Sequence, residues 1–359
     1  KKENPTLMTL CGLQPNQTEA DFSGWDLTVQ DAKLLAPEIV VHASLTSLSL
    51  HDTPLDDEVV SILCQALHNS HVQELDLSDT DISTVGLNAV ADRIAVVSSI
   101  ISVNVLSNKL DVERADLLLK VKDEKPNLRT LCGLTHNETK IELRYKRLGP
   151  GDAKLLAPEL LVMASLTKIL VDGNELGDAG TTILCNALRE STVTKVQELG
   201  LTNNQIGPEG ARAVAAMAAV VASITHIGAG GIDLRSNNLG DEGWGAIFAG
   251  VCSSKVSKIA SINASNKGIG PKGANLIAEA LRTSVNASLT SLDLSGNALC
   301  GIKYGRGTYT AEGIKAIADA LRVNASMTRL EVSSNNLGEG GKAALREALQ
   351  GRSGFELLL

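Results

Sequence analysis

One eleven-residue pattern, L-x-x-L-x-L-x-x-N-x-L, recurs along almost the whole chain. Clear copies are LTSLDLSGNAL at 289–299, MTRLEVSSNNL at 327–337 and LTKILVDGNEL at 166–176. We count about eleven copies when weaker ones are included, and their asparagine positions lie 27 to 38 residues apart. Repetition at such a period predicts a solenoid, in which each copy is one unit that buries its apolar face by stacking on its neighbours.

Each copy of the pattern also predicts its own local structure. The alternating leucines of L-x-L indicate a short strand with one apolar face. The asparagine suits the turn that follows, since its short amide side chain bonds to nearby backbone groups. A segment such as LGDAG at 176–180 or IGPEG at 206–210 then leads into leucines and alanines at helical spacing. The sequence therefore predicts an α/β solenoid with a parallel inner sheet and outer helices.

These motifs resemble the leucine-rich repeats of the ribonuclease-inhibitor type, over nearly the whole chain. The same type occurs in innate-immune receptors and in Ran GTPase-activating proteins. The resemblance implies a horseshoe of about eleven repeats.

A longer period lies above the first. Residues 7–67 resemble residues 128–188 at an offset of 121; DAKLLAPE, for example, occurs at 31–38 and again at 152–159. The repeats keep their register across this duplication, so we expect one domain, 1–359, forming a continuous arc. The repeat near the C-terminus holds ten extra residues, CGIKYGRGTY at 300–309.

Composition limits the classes of function. The net charge is -8 and no block of basic residues occurs, which argues against a nucleic-acid partner. No run reaches the roughly 18 apolar residues that a membrane span needs. GIGPKG at 268–273 matches a dinucleotide motif, but its last two glycines belong to the common repeat turn. We therefore expect no cofactor, no metal and no enzymatic activity.

The cysteines and the N-x-S/T sequons indicate in which cellular compartment the protein is expected. None of the six cysteines forms a C-x-x-C pair, and Cys64 and Cys185 occupy equivalent helical positions, so we expect buried, reduced thiols. The N-x-S/T sequons at Asn286 and Asn324 fall where a helix ends, which indicates turn chemistry rather than glycosylation. We expect an intracellular, cytoplasmic protein; organelle targeting stays open because the chain starts at Lys1.

Two surfaces could bind a partner. The first is the concave face, where the side chains between the leucines are charged in the middle of the chain: Lys140, Glu142, Arg144, Lys168, Asp172, Glu198, Asp233 and Arg235. The second is the insert, with Lys303, Tyr304, Arg306 and Tyr309, because insertions in repeats map to loops that often bind. The alternatives are a solvated sheet face and a loop that packs its tyrosines on its neighbour.

The leading functional hypothesis is a non-enzymatic scaffold that binds another protein through the concave face, the 300–309 loop or both. One alternative is a Ran-type activator of a small GTPase, although no arginine here can be matched to that family's functional one. Another is a structural subunit of a larger complex.

Overall fold

Each copy of the repeat folds into a strand of two or three residues, a tight turn and, in most copies, a helix. The molecule is described by a computed structural model over residues 10–303 and 305–359. Within these residues the named strands pair in parallel throughout. The predicted α/β solenoid with a parallel sheet is therefore confirmed.

The chain forms two compact units. The first runs up to Glu138 and includes Lys146–Glu159, and the second consists of Thr139–Tyr145 and Leu160–Leu359. That the whole chain behaves as one domain stays a prediction.

The first unit contains a four-stranded sheet, in the order β1-β2-β3-β4. Its elements are β1 (Glu19–Asp21), α1 (Val29–Val41), β2 (Ser47–Ser49), α2 (Asp57–Leu67), β3 (Glu74–Asp76), α3 (Thr84–Val96), β4 (Ser102–Asn104), α4 (Val112–Glu124) and α5 (Pro150–Leu160), whose last residue belongs to the second unit.

The second unit contains a nine-stranded sheet, in the order β13-β12-β11-β10-β8-β9-β7-β6-β5. Its elements are β5 (Lys140–Glu142), β6 (Lys168–Leu170), α6 (Gly177–Glu190), β7 (Glu198–Gly200), α7 (Pro208–Ala218), β8 (His226–Ile227), β9 (Ile232–Asp233), α8 (Gly240–Ser253), β10 (Ser261–Asn263), α9 (Pro271–Arg282), β11 (Ser291–Asp293), α10 (Glu312–Val323), β12 (Arg329–Glu331), α11 (Gly338–Ala348) and β13 (Glu356–Leu358).

The strand register aligns aliphatic side chains in rows. In the first unit Ala20, Leu48, Leu75 and Val103 are paired in sequence, and each is buried. In the second unit Ile262 pairs with Leu292 in the same way. Because neighbouring residues on a strand point to opposite faces, the residues on either side of each row face away from the core. We call this outward side of each sheet the strand face.

The asparagine of the repeat holds successive turns together. Asn335, for example, is buried, and its Nδ2 donates to Leu294 O at 2.8 Å and to Val332 O at 3.0 Å. Its Oδ1 accepts from Leu299 N at 3.3 Å. One side chain thereby satisfies backbone groups of two adjacent repeats, which would otherwise be buried without partners.

An aspartate of the L-G-D turn links one helix to the next. Asp178 lies in the first turn of α6, and its Oδ1 accepts from Gly207 N at 2.7 Å and from Gly210 N at 2.8 Å. These two N–H groups lie at the start of α7, where Pro208 follows. A carboxylate at a helix N-terminus is favourable because it binds unpaired N–H groups and complements the helix dipole.

The expectations for Cys64, Cys185 and the two sequons are confirmed. None of the six cysteines, all of which the structure describes, is part of a disulfide, and both Cys64 and Cys185 are buried. Asn286 Nδ2 donates to Val251 O and Asn324 Nδ2 donates to Leu281 O, each at 2.9 Å, and both asparagines are buried. Their amides therefore serve the turns. Across the described residues, no helix combines the length and the apolar character needed to cross a membrane.

Candidate functional site

A short glycine-rich segment interrupts one strand of the second unit. Strands β8 and β9 belong to the same repeat, and the four residues between them, Gly228–Gly231, form a loop on the strand face that we call the glycine loop. His226 Nε2 contacts Ala229 O at 3.1 Å, and Gly230 has a φ of +84°. Glycine accepts this left-handed conformation without steric cost, whereas other residues do not.

The glycine loop separates two cavities on the strand face. The ion-pair cavity has a volume of about 380 Å³ and is lined by Arg144, Tyr145, Leu170, Asp172, Glu198, Gly200, Thr202, Ala229, Gly230, Asp233 and Arg235. The lysine cavity has a volume of about 610 Å³ and is lined by Gly228, Ala229, Arg235, Ser236, Asn237, Asn263, Ser265, Asn266, Lys267 and Lys303. Ala229 and Arg235 line both.

The charged residues predicted from the sequence lie together on this face, and they pair with one another. Arg144 Nε donates to Asp172 Oδ2 at 2.8 Å, and Arg144 Nη1 lies 3.2 Å from Glu142 Oε1. Lys140 forms an ion pair with Glu142 in turn. Asp172 also accepts from Thr202 N at 2.9 Å. The hydrogen bond to Asp172 raises the pKa of Arg144, so this guanidinium is held by two carboxylates.

The other four predicted residues form two further pairs. Lys168 Nζ lies 2.6 Å from Glu198 Oε2. Asp233 accepts from Arg235 Nε at 2.9 Å and from Arg235 Nη2 at 2.6 Å. Burial opposes ionisation of Asp233, but the bonds from Arg235 outweigh it and hold the pKa below its usual value. Four cations thus face four carboxylates, and this part of the strand face is electrically neutral.

Tyr145 is the functional candidate that sequence reasoning missed. Its side chain is 75% exposed and lines the ion-pair cavity, although the alternation of the strand does not place it there. Its φ is +56°, and its ring lies against the backbone of Gly173. A bulky residue in the left-handed region is an outlier. The angle is a regular feature of this repeat position, which has a positive φ in the other copies and holds small or short polar residues there, such as Gly173, Asn203 and Ser236.

The insert forms a small hairpin attached to its neighbours. Lys303 N donates to Arg306 O at 2.9 Å, and Arg306 N donates to Lys303 O at 3.0 Å. Lys303 reaches the lysine cavity, whereas Arg306 is exposed and does not line it. Tyr309 is half-exposed and its hydroxyl donates to Leu337 O at 2.9 Å. Tyr304 lies outside the described residues.

One part of the expectation for the insert is wrong. The predicted loop of residues 300–309 begins with Cys300, but this residue is fully buried, because the chain leaves the core only after it. Thr310 N donates a hydrogen bond to Cys300 O at 2.9 Å, and this bond joins the two ends of the insert. The insert therefore contributes to the packing of its own repeat as well as to the surface.

Comparison with known proteins agrees with the repeat seen in the structure. The "Leucine Rich repeat" family model matches residues 68–91, 194–215, 232–248, 285–299 and 323–345. The ribonuclease inhibitor of Sus scrofa is 24% identical over 348 residues, which are 90% of this chain and 72% of the relative. The chain is a leucine-rich repeat protein of the ribonuclease-inhibitor type.

Two further likenesses are weaker. The NACHT, LRR and PYD domains-containing protein 12 of Mus musculus is 25% identical over 341 residues, 88% of this chain and 30% of that protein. An internalin from Listeria monocytogenes covers 95% of this chain and 86% of its own, with 17% identity and a TM-score of 0.32, a likeness too distant to support a conclusion.

In this leucine-rich repeat protein, the spacing of the asparagine positions alone indicates where the glycine loop lies. The asparagine positions Asn204 and Asn237 lie 33 residues apart, whereas the next two spacings are 30. The longer interval contains Gly228-Ala229-Gly230-Gly231, a run that no other copy of the repeat has. A departure in spacing of three residues therefore marked the centre of the candidate site.

Proposed function

We propose that this protein is a non-enzymatic scaffold that binds another protein through the strand face of its second unit. The contact would centre on the ion-pair cavity and Tyr145. The insert would lie at the edge of the same surface through Lys303.

The single observation that carries this proposal is the exposure of the aromatic side chain of Tyr145 at the ion-pair cavity. Holding a tyrosine in the left-handed region costs about 1–2 kcal/mol, and its ring gains little from burial because it is largely exposed. The left-handed angle itself recurs at this position of the repeat, where other copies hold Gly, Asn, Asp or Ser, so the feature that distinguishes Tyr145 is its exposed aromatic side chain. Tyrosine and arginine are also the side chains that most often anchor protein interfaces, and Arg144 and Arg235 flank Tyr145 in the cavity.

The charges favour recognition over catalysis. Among the described residues, no histidine, cysteine or lysine lines the ion-pair cavity. Its carboxylates are each bound to a cation, so none is poised as a general base. A network that is paired before the partner arrives loses little side-chain entropy on binding, and it fixes the direction of each guanidinium.

The test uses the intact chain and two variants, in each of which an exposed aromatic residue is changed to asparagine. Proteins captured on the wild type are identified, and the dissociation constant of the purified partner is then measured. Ribonuclease is included among the candidate partners because the similar protein of Sus scrofa is a ribonuclease inhibitor. Tyr145→Asn, which places at this position the residue found at Asn203, should keep the fold and weaken binding tenfold or more.

The control is Trp25→Asn, which changes an exposed aromatic residue of the first unit. This variant should bind as the wild type does. Equal affinity of Tyr145→Asn and the wild type would contradict the proposal. Acceleration of GTP hydrolysis by a small GTPase would instead support the activator hypothesis.

A further inference from the structure

The lysine cavity differs from the rest of the strand face in its charge. Arg235, Lys267 and Lys303 line it, and no carboxylate does. Asp233 neutralises Arg235 from the neighbouring cavity, and the other two cationic side chains of the lining are those of Lys267 and Lys303. This concentration of positive charge occurs in a chain whose net charge is -8, which makes it a local feature rather than part of a basic surface.

Lys267 replaces the asparagine of the repeat. In other copies that asparagine is buried and donates to backbone carbonyls, as Asn297 does. The backbone of Lys267 keeps its place, since Lys267 N donates to Asn297 Oδ1 at 2.8 Å. Its ammonium, however, makes no hydrogen bond or ion pair with any residue that the structure describes.

This ammonium is half-buried, and its charge is poorly compensated. Burial lowers the pKa of Lys267, and the carboxylate of Asp233 offsets only part of that effect. A partly buried cation without a partner is unfavourable unless an anion supplies the missing interaction. The poorly compensated charge of Lys267 therefore indicates a negatively charged ligand.

The insert brings the second lysine to the same place. The hairpin formed by Lys303 and Arg306 fixes the backbone of Lys303. A Cβ added at Gly268 would lie 3.0 Å from Lys303 Nζ, so this ammonium lies above the residue that follows Lys267. Gly268 has a φ of +70°, and its lack of a side chain leaves room for the lysine. The ten extra residues therefore complete the cationic cavity.

Neutral donors line the remaining wall. Asn263 Oδ1 accepts from Ser265 N at 3.0 Å and from Ser265 Oγ at 2.7 Å. The Nδ2 hydrogens of Asn263 have no partner among the described residues, and Asn263 lines the cavity. An amide donor and two ammonium groups together suit a ligand with several acceptor oxygens and more than one negative charge.

We infer that the lysine cavity binds a phosphomonoester group, held by Lys267 and Lys303 and carried by a peptide segment of the partner. A phosphate group has three strong acceptor oxygens and a charge of about -1.5 to -2 at neutral pH, which matches the donors better than one carboxylate does. Two lysines are too few for the repeated backbone contacts by which nucleic acid binds. Recognition of phosphate does not depend on the proposed function, but its peptide origin rests on it.

The first experiment measures binding of inorganic phosphate to the full chain by calorimetry. Lys267→Gln and Lys303→Gln should each weaken it about tenfold, the loss of one charge-assisted hydrogen bond. Lys315→Gln, a change at an exposed position of α10, should bind phosphate as the wild type does. The Lys267 pKa, followed by the ¹³Cε chemical shift, should rise when phosphate is bound.

The second experiment identifies the source of the phosphate group. A phosphoserine peptide should bind more tightly than its unphosphorylated twin and more tightly than inorganic phosphate. Equal binding of the two peptides, or tighter binding of a short single-stranded DNA, would overturn the peptide assignment. The absence of saturable phosphate binding, or wild-type affinity in Lys267→Gln, would overturn the site itself, whatever the strand face does with a partner protein.

Discussion

Asn297 offers the sharpest test of how the repeats are joined. Its side chain is buried, and Nδ2 donates to Ala264 O at 2.8 Å and to Leu294 O at 2.9 Å. Its Oδ1 accepts from Lys267 N at 2.8 Å and from Ile269 N at 3.1 Å. Asn297→Ala removes these four hydrogen bonds, together with a longer one of 3.4 Å from Nδ2 to Ser295 O, and leaves two carbonyl and two N–H groups without these partners.

The magnitude follows from these four bonds. At a net contribution of about 0.5–1.5 kcal/mol each, their loss should lower the free energy of unfolding by about 2–6 kcal/mol. Thr53 and Thr80 hold the same position in the first unit, where Thr80 Oγ1 donates to Leu77 O at 2.7 Å. Asn297→Thr therefore keeps one donor and should lose about half as much.

The assay is urea denaturation followed by circular dichroism. The control is Asn275→Ala, a change at an exposed position of α9, whose effect should stay within about 0.5 kcal/mol. A loss below about 1 kcal/mol for Asn297→Ala, with an unchanged dependence on urea, would refute the reasoning. It would mean that water or a rearranged turn satisfies the exposed backbone groups.

Four further outcomes are expected. At pH 8 the partly exposed Cys11 should react with a thiol reagent well before Cys64 and Cys185, because burial raises the pKa of both to about 12; rapid labelling of all six would contradict this. Burial raises the pKa of Asp152 to about 6 in the folded protein. The unfolded chain therefore loses this proton at a lower pH than the folded protein does. The free energy of unfolding should fall by up to about 3 kcal/mol as the pH rises from 4 to 6. A carboxyl titration in the folded protein that gave a value below 4 for Asp152 would rule this out. Tyr309→Phe should cost about 0.5–1.5 kcal/mol through the lost bond to Leu337 O, and an unchanged midpoint of urea denaturation would show that the bond is dispensable. The unbroken register of the repeats predicts one calorimetric melting transition, and two resolved transitions would argue for independent units.

The sequence by itself determined the repeating part of this protein. The leucine alternation, the asparagine and the L-G-x-x-G turn are local patterns, and each encodes a backbone conformation within a few residues. Their recurrence then determines the parallel stacking, since a unit of this kind has an apolar face that only another copy can cover. The charged members of the strand face were also readable, because alternation along a strand assigns each side chain to a face.

Only the tertiary structure decided which groups these side chains contact and which cavities they line. Arg144 and Asp172 lie in different repeats, so their pairing depends on register and rotamer rather than on spacing in the chain. Tyr145 occupies a turn position whose left-handed backbone angle recurs along the repeats, but only the structure shows that its side chain lines the ion-pair cavity. Lys267 and Lys303 belong to different repeats and line one cavity, because the insert brings Lys303 close to Gly268. The candidate site therefore depends on which side chain each copy places at a shared backbone position, since the repeat encodes the backbone and not the contacts between copies.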